Sequence, residues 1–103
     1  KQVHALRRTL INLIMKVKKG FVLHEICNEN VVIAEGIENI DFNNLISMND
    51  TAAYIWKNVQ GKDFSVEDMV SMILSEYDID EATAKNDCKA LAENWLNAGI
   101  CEE

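Results

Sequence analysis

The chain changes from strand to helix within one short segment, Leu45-Ile-Ser-Met-Asn-Asp-Thr-Ala-Ala-Tyr-Ile-Trp56. Its first four residues are predicted as a short strand. Either Asn49 or Asp50 can cap the helix that follows, because a side-chain oxygen at this position accepts a backbone N–H of the first turn. Apolar residues recur at helical spacing as far as Val59, and Gly61 is a suitable C-terminal stop. Strands are therefore expected before this segment and helices after it.

Two runs rich in β-branched and apolar residues precede the segment, at Phe21–Cys27 and Val31–Ala34. The polar triplet Asn28-Glu29-Asn30 separates them and is predicted as the turn of a hairpin. With Leu45–Met48 as the third strand, these runs predict a small antiparallel sheet. Such a sheet cannot bury both of its faces alone, so it needs helices against one of them.

Two further helices are signalled after the segment. Ser65-Val-Glu-Asp68 has the form of a capping box and opens an apolar stripe that runs from Val66 to Tyr77. A last helix begins after its cap Asp80 and ends at Gly99. The predicted order β-β-β-α-α-α indicates an α+β fold of the winged helix-turn-helix type, with a three-stranded antiparallel sheet followed by three helices.

Charge divides the chain into two parts. Its 103 residues, enough for one compact domain, carry a net charge of −7, yet six of the ten basic residues lie in the first 19 positions, where no acid occurs. We predict a basic N-terminal extension over residues 1–19 and an acidic domain over residues 20–103. One interpretation of the extension is a short amphipathic helix within residues 1–14. The other is that the natural protein starts at Met15 and the preceding residues are not native.

The sequence shows no pattern of a catalytic or metal site. His4 and His24 have no nucleophile or base that spacing places beside them, and the isolated glycines form no phosphate loop. The three cysteines include no Cys-x-x-Cys pair. No apolar run approaches the about 20 residues that a membrane span needs. We therefore expect a cytoplasmic protein with reduced thiols that is not an enzyme and has no metal, no cofactor and no membrane partner.

DNA binding is common among winged helices, but the charge argues against it here. A recognition helix presents basic or amide side chains to the bases, whereas the second predicted helix presents Glu67, Asp68 and Glu76. A net negative chain is also repelled by phosphates. We expect no nucleic-acid partner and favour recognition of a peptide at the free edge of the sheet. The alternative is a DNA-binding or transcription-associated protein.

Several short motifs occur together in residues 21–100. They are Ile46-Ser-Met-Asn49 with Asp50-Thr-Ala-Ala-Tyr-Ile-Trp56, Gly61-Lys62 with Val66-Glu67-Asp68, Glu76-Tyr-Asp-Ile-Asp80, and Asp87-Cys88 leading to Ala98-Gly99-Ile100. In this combination the chain resembles the coenzyme PQQ synthesis protein D (PqqD) family of ribosomal-peptide recognition elements. The resemblance implies a noncatalytic peptide chaperone of PQQ biosynthesis or another peptide pathway. Such a chaperone binds the leader of a ribosomally made precursor and presents it to a modifying enzyme, typically a radical S-adenosylmethionine enzyme with an iron–sulfur-rich C-terminal domain.

The resemblance also implies where the leader binds. The leader would add as a strand to the backbone of the third strand and lie against side chains of the last helix, a set that comprises Leu45, Ile46, Ser47, Met48, Asp87, Cys88, Leu91, Ala92 and Trp95. Helical spacing by itself predicts that Leu91 and Trp95 are core residues. Their assignment to the core and their assignment to the peptide site both stay open. A further alternative is an interaction module, for instance a homodimer, in which residues 1–14 dock on the sheet of the same chain or of a second copy.

Overall fold

The computed structural model describes residues 13–34 and 46–103. Most of the helix predicted within residues 1–14, the acidic connection after Gly36, and Leu45 lie outside the described residues. The elements in chain order are β1 (Lys16–Val17), β2 (Phe21–Ile26), β3 (Glu29–Ala34), β4 (Ile46–Met48), α1 (Asp50–Asn58), α2 (Val66–Glu76), α3 (Glu81–Ala98) and β5 (Cys101–Glu102). The predicted α+β class, with three antiparallel strands followed by three helices, is confirmed. None of the helices in the described ranges is long and apolar enough to cross a membrane.

Strands β2 and β3 form a tight hairpin whose turn differs from the prediction. All six residues of β2 pair with β3, from Phe21 opposite Ala34 to Ile26 opposite Glu29. This register leaves a two-residue loop of Cys27 and Asn28, which have φ values of 52° and 67°. Two consecutive positive φ values are typical of the turn that matches the twist of paired strands. The predicted turn at residues 28–30 is therefore wrong, because Glu29 and Asn30 already belong to β3.

Side-chain caps begin each of the three helices, as the sequence predicts. Asn49, rather than Asp50, caps α1, and its Oδ1 accepts the N–H of Ala52 at 2.8 Å. Ser65 and Asp68 exchange the two hydrogen bonds of a capping box at the start of α2. Asp80 caps α3 by accepting from the backbone N–H and the hydroxyl of Thr83, and these bonds lower the pKa of the Asp80 carboxyl.

The core lies between the sheet and the helices and is centred on aromatic side chains. Trp56 of α1, Trp95 of α3 and Phe64 of the α1–α2 connection are each 1% exposed. Phe64 and Trp95 meet edge to face with ring centroids 6.4 Å apart. Burial of three large rings removes much apolar surface from water, so this cluster is a principal source of stability.

Some residues before position 20 take part in the core, although the sequence analysis assigned residues 1–19 to an N-terminal extension. Met15 is 1% exposed, and its backbone N–H and C=O form two 2.8 Å hydrogen bonds with the backbone of Phe64. Strand β1 then pairs with β5, with Val17 opposite Cys101. Met15 and β1 therefore pack with the connection before α2 and with the C-terminal strand.

Candidate functional site

Strand β4 lies at the edge of the three-stranded sheet. Its residues Ile46, Ser47 and Met48 pair with β3 on one side. On the other side, no strand among the described residues pairs with it. An edge strand presents backbone N–H and C=O groups that lack partners in the sheet, so it can accept a further strand.

A groove separates the free side of β4 from α3. It begins as a cavity of about 440 Å³ with walls from both elements. The wall from β4 consists of Ile46, Ser47 and Met48, and the wall from α3 consists of Leu91, Asn94, Trp95 and Ala98. Asn49 and Ala52, at the start of α1, complete the lining.

The groove continues beyond the start of α1 into a second cavity of about 530 Å³. The two cavities are contiguous because they share lining residues, namely Asn49, Ala52, Leu91 and Asn94. The second cavity is also lined by residues of α2, of the α2–α3 connection and of the first half of α3, among them Ile73, Tyr77, Asp78, Ile79 and Asp87. We call the two cavities together the β4–α3 groove. Its lining combines apolar side chains with amide and carboxylate groups.

The structure brings most of the predicted site residues to this groove. Ile46, Ser47, Met48, Leu91 and Trp95 line its first cavity. Asp87 lines only the second cavity, beyond the start of α1. Leu45 lies outside the described residues.

Two of the predicted site residues lie in the core instead. Cys88 and Ala92 are both 0% exposed and line neither cavity. With Ala84 and Trp95 they form the buried stripe of α3. Their fully buried side chains can shape the groove only from behind. Trp95 belongs to both sets, because it is 1% exposed and also lines the first cavity.

Sequence reasoning missed the residues that complete the helical wall of the groove. These include Asn94 and Ala98, which share one side of α3 with Asp87 and Leu91 at spacings of three and four residues. Helical periodicity could have identified this stripe, since it runs beside the apolar core stripe. The polar and small residues of this stripe are equally typical of a helix side that faces open solvent, so the sequence did not indicate a groove.

The two buried cysteines, Cys88 and Cys101, hold thiols that are not activated as nucleophiles. Burial, with a smaller contribution from the carboxylate of Asp87, raises the pKa of the Cys88 thiol to about 11. Burial likewise raises the pKa of Cys101 to about 12. Both thiols are protonated near neutral pH, and it is the thiolate that attacks electrophiles or binds metals. Among residues 13–34 and 46–103, no group of three or more His, Cys, Asp or Glu side chains could hold a metal ion.

One family model and two solved structures match this chain. The family model described as coenzyme PQQ synthesis protein D (PqqD) matches residues 29–100, so the match begins at β3 and leaves out the β2 strand that the sequence resemblance included. A comparison with curated proteins gives no match.

Two solved structures share the fold, and each contains a peptide. TbiB1 in complex with the TbiA(beta) leader peptide superimposes with a TM-score of 0.63 and 22% identity, over 84% of this chain and 94% of that one. Lasso peptide synthetase B1 complexed with the leader peptide gives a TM-score of 0.63 and 20% identity, over 86% of this chain and 98% of that one.

Proposed function

This chain belongs to the coenzyme PQQ synthesis protein D (PqqD) family, and on this premise we propose that it binds the leader of a ribosomally made precursor peptide in the β4–α3 groove. The observation that carries the proposal is the unpaired outer edge of β4 facing the groove. The two structural neighbours support it, because each was solved with a leader peptide.

The proposed mode of binding is the addition of a strand to β4. An extended leader segment would hydrogen-bond to the backbone of Ile46–Met48, and these bonds give affinity without requiring particular side chains. Side chains of a strand alternate between its two faces, so every second leader residue would point toward the apolar lining at Ala52 and Leu91. Asn49 and Asn94 stand beside this path and can bond to polar groups of the leader. A leader with alternating apolar residues fits this lining best.

We further propose that the protein performs no chemistry and presents the bound precursor to a modifying enzyme of the radical S-adenosylmethionine type. Tethering a substrate near an enzyme replaces a bimolecular encounter by an intramolecular one and raises the effective concentration of the substrate. The protonated, buried thiols of Cys88 and Cys101 are in keeping with a structural part for these residues. The expected kinetic effect is a lower KM of the enzyme for the precursor when this protein is present.

The test is an amide chemical-shift titration of the full chain with a candidate precursor leader peptide. We expect saturable shifts at Ile46–Met48 and along the side of α3 that includes Leu91 and Asn94. A scrambled peptide of the same composition is the control. Absence of shifts in β4 and α3 at millimolar leader, with the protein folded, would overturn the proposal. Binding that weakens steeply with salt and prefers duplex DNA would support the alternative of a DNA-binding protein.

A further inference from the structure

A second cavity outside the β4–α3 groove has the opposite electrostatic character. It has a volume of about 300 Å³ and lies between β1 with the turn that follows it and the connection from α1 to α2. Four lysines line it, Lys16, Lys18, Lys19 and Lys62, with Asp63 as the single acid among the lining residues. We call these four residues and the space between them the lysine cleft.

The concentration of positive charge in the cleft is unusual for this molecule. The net charge of the chain is −7, and the described residues contain seven lysines and no arginine. Four of those seven lysines line this one small cavity. No ion pair within 4.0 Å joins any of the four to a carboxylate of the described residues, although Glu102 lies opposite Lys16 in the β1–β5 pair. Their charge is therefore available to a partner.

The two walls of the cleft are held together by backbone hydrogen bonds. Met15 precedes one wall and Phe64 follows the other, and the two residues exchange hydrogen bonds of 2.8 Å. The backbone N–H of Lys18 donates to the carbonyl of Ile100 at 3.0 Å, which fixes the first wall to the segment between α3 and β5. The cleft is therefore preformed, and binding there need not pay for ordering the backbone.

We propose that the lysine cleft docks an acidic segment of a partner protein, independently of the leader site. Its volume, at the low end for ligand pockets, has room for a few side chains, while Val17 and Phe21 give it an apolar base. Lysines are mobile point charges that suit several separate carboxylates better than one planar anion held in a fixed geometry. The cleft shares no lining residue with the β4–α3 groove, so both can be occupied at once.

Charge favours a short acidic protein segment over a nucleic acid. A duplex extends its uniform negative charge far beyond a cavity of this size, and the acidic remainder of the surface would repel it. A protein segment concentrates a few carboxylates at one place and leaves the rest of the partner free to be neutral or basic. Attraction of this kind speeds encounter and weakens with salt.

The test uses the full chain and a fluorescein-labelled hexaglutamate peptide, with binding followed by anisotropy at low salt. The cleft variant is Lys19→Gln with Lys62→Gln, both exposed in the cleft. The matched control is Lys57→Gln with Lys85→Gln, which removes the same charge at exposed positions elsewhere. We expect the cleft variant to bind the peptide about five-fold or more weakly, and the control to stay within about two-fold of the parent. Equal melting temperatures would show that all three proteins are folded.

Four results would overturn the proposal. One is the absence of saturable binding of hexaglutamate to the parent. Another is an equal loss in both variants, which would mean that only net charge matters. The third is tighter binding of a duplex oligonucleotide than of hexaglutamate to the same lysines. Amide chemical shifts on addition of hexaglutamate map the binding site, and we expect shifts at residues 16–20 and 60–63. Shifts confined to the β4–α3 groove are the fourth result that would overturn the proposal. Failure of hexaglutamate to bind would not contradict the proposed binding of the leader, because the leader titration uses a different peptide and tests a different surface.

Discussion

The indole rings of Trp56 and Trp95 meet edge to face, with centroids 5.3 Å apart and planes 84° apart. Trp56 belongs to α1 and Trp95 to α3, so this contact joins the helix that follows β4 to the helix that forms the opposite wall of the groove. Edge-to-face pairs add about 0.5–1.5 kcal/mol to the burial of the rings. The contact therefore joins two helices that both line the β4–α3 groove.

Truncation of Trp95 is expected to destabilise the whole domain. Trp95→Ala removes a fully buried ring from the contacts with Trp56 and Phe64, and such changes cost about 3–5 kcal/mol. Guanidinium denaturation followed by circular dichroism measures the loss. Leu74→Ala, at a side chain that is 38% exposed, is the control and should cost less than about 1 kcal/mol. Similar losses in the two variants would contradict the central role of the aromatic cluster.

Obstruction of the groove is expected to weaken leader binding without affecting the fold. Asn94 is exposed and lines both cavities, so Asn94→Arg places a long side chain across the proposed path of the leader. We expect at least a ten-fold rise in the Kd for the leader, measured by calorimetry, on the reasoning that a clash and a lost hydrogen bond each cost about 1 kcal/mol or more. Asn97→Arg makes the same change at an exposed position of α3 that lines neither cavity. Equal affinity of the two variants would place the leader elsewhere.

The three cysteines are expected to differ sharply in reactivity. Cys27 is exposed in the hairpin turn, whereas Cys88 and Cys101 are buried and their thiols have raised pKa values. A disulfide reagent at pH 8 should therefore modify Cys27 rapidly in the native protein, and the other two only after denaturation. Mass spectrometry after timed quenching identifies the modified residue. Rapid native modification of Cys88 would show that α3 opens from the core.

The same thiols predict a loss of stability at alkaline pH. Their pKa values are raised on folding from about 9.0 to about 11 and about 12, so the folded state holds protons that the unfolded state releases. This contribution is fully present below pH 9 and is lost as the pH rises through about 11. Urea midpoints at pH 8 and pH 10.5 measure the decline. Cys88→Ala is expected to lower the urea midpoint at both pH values and to make its decline between them shallower. An unchanged decline would assign it to other groups.

The strained hairpin turn offers a stabilising substitution. Cys27 has a φ of 52°, a conformation that costs most side chains about 1–2 kcal/mol and that Asn tolerates better. Cys27→Asn is therefore expected to raise the free energy of unfolding by about 0.5–1 kcal/mol, read from thermal melting. Glu29→Asn is the control, because Glu29 already lies in β3 and has no positive φ to relieve. Equal effects of the two changes would contradict the explanation by backbone strain.

The sequence by itself determined the features that depend on neighbours a few residues apart. The caps Asn49, Ser65 and Asp80, the stop at Gly99 and the apolar stripe of α2 are all set by hydrogen bonds or periodicity within one or two turns. The motifs that resemble the PqqD family are likewise short runs of neighbouring residues. For this reason the three helices, the class of the fold and the strand at the edge of the groove could be predicted.

Only the tertiary structure decided what depends on residues far apart in the chain. The pairing of β1 with β5 and the contact of Met15 with Phe64 join segments whose own sequence carries no signal of a partner. The same holds for the side of α3 that lines the groove, which includes Asn94 and Ala98, and for the lysines of the cleft, which come from two distant segments. Packing selects one of several helical stripes and one of several possible strand partners, and that choice rests on the summed burial of the whole core rather than on any local pattern.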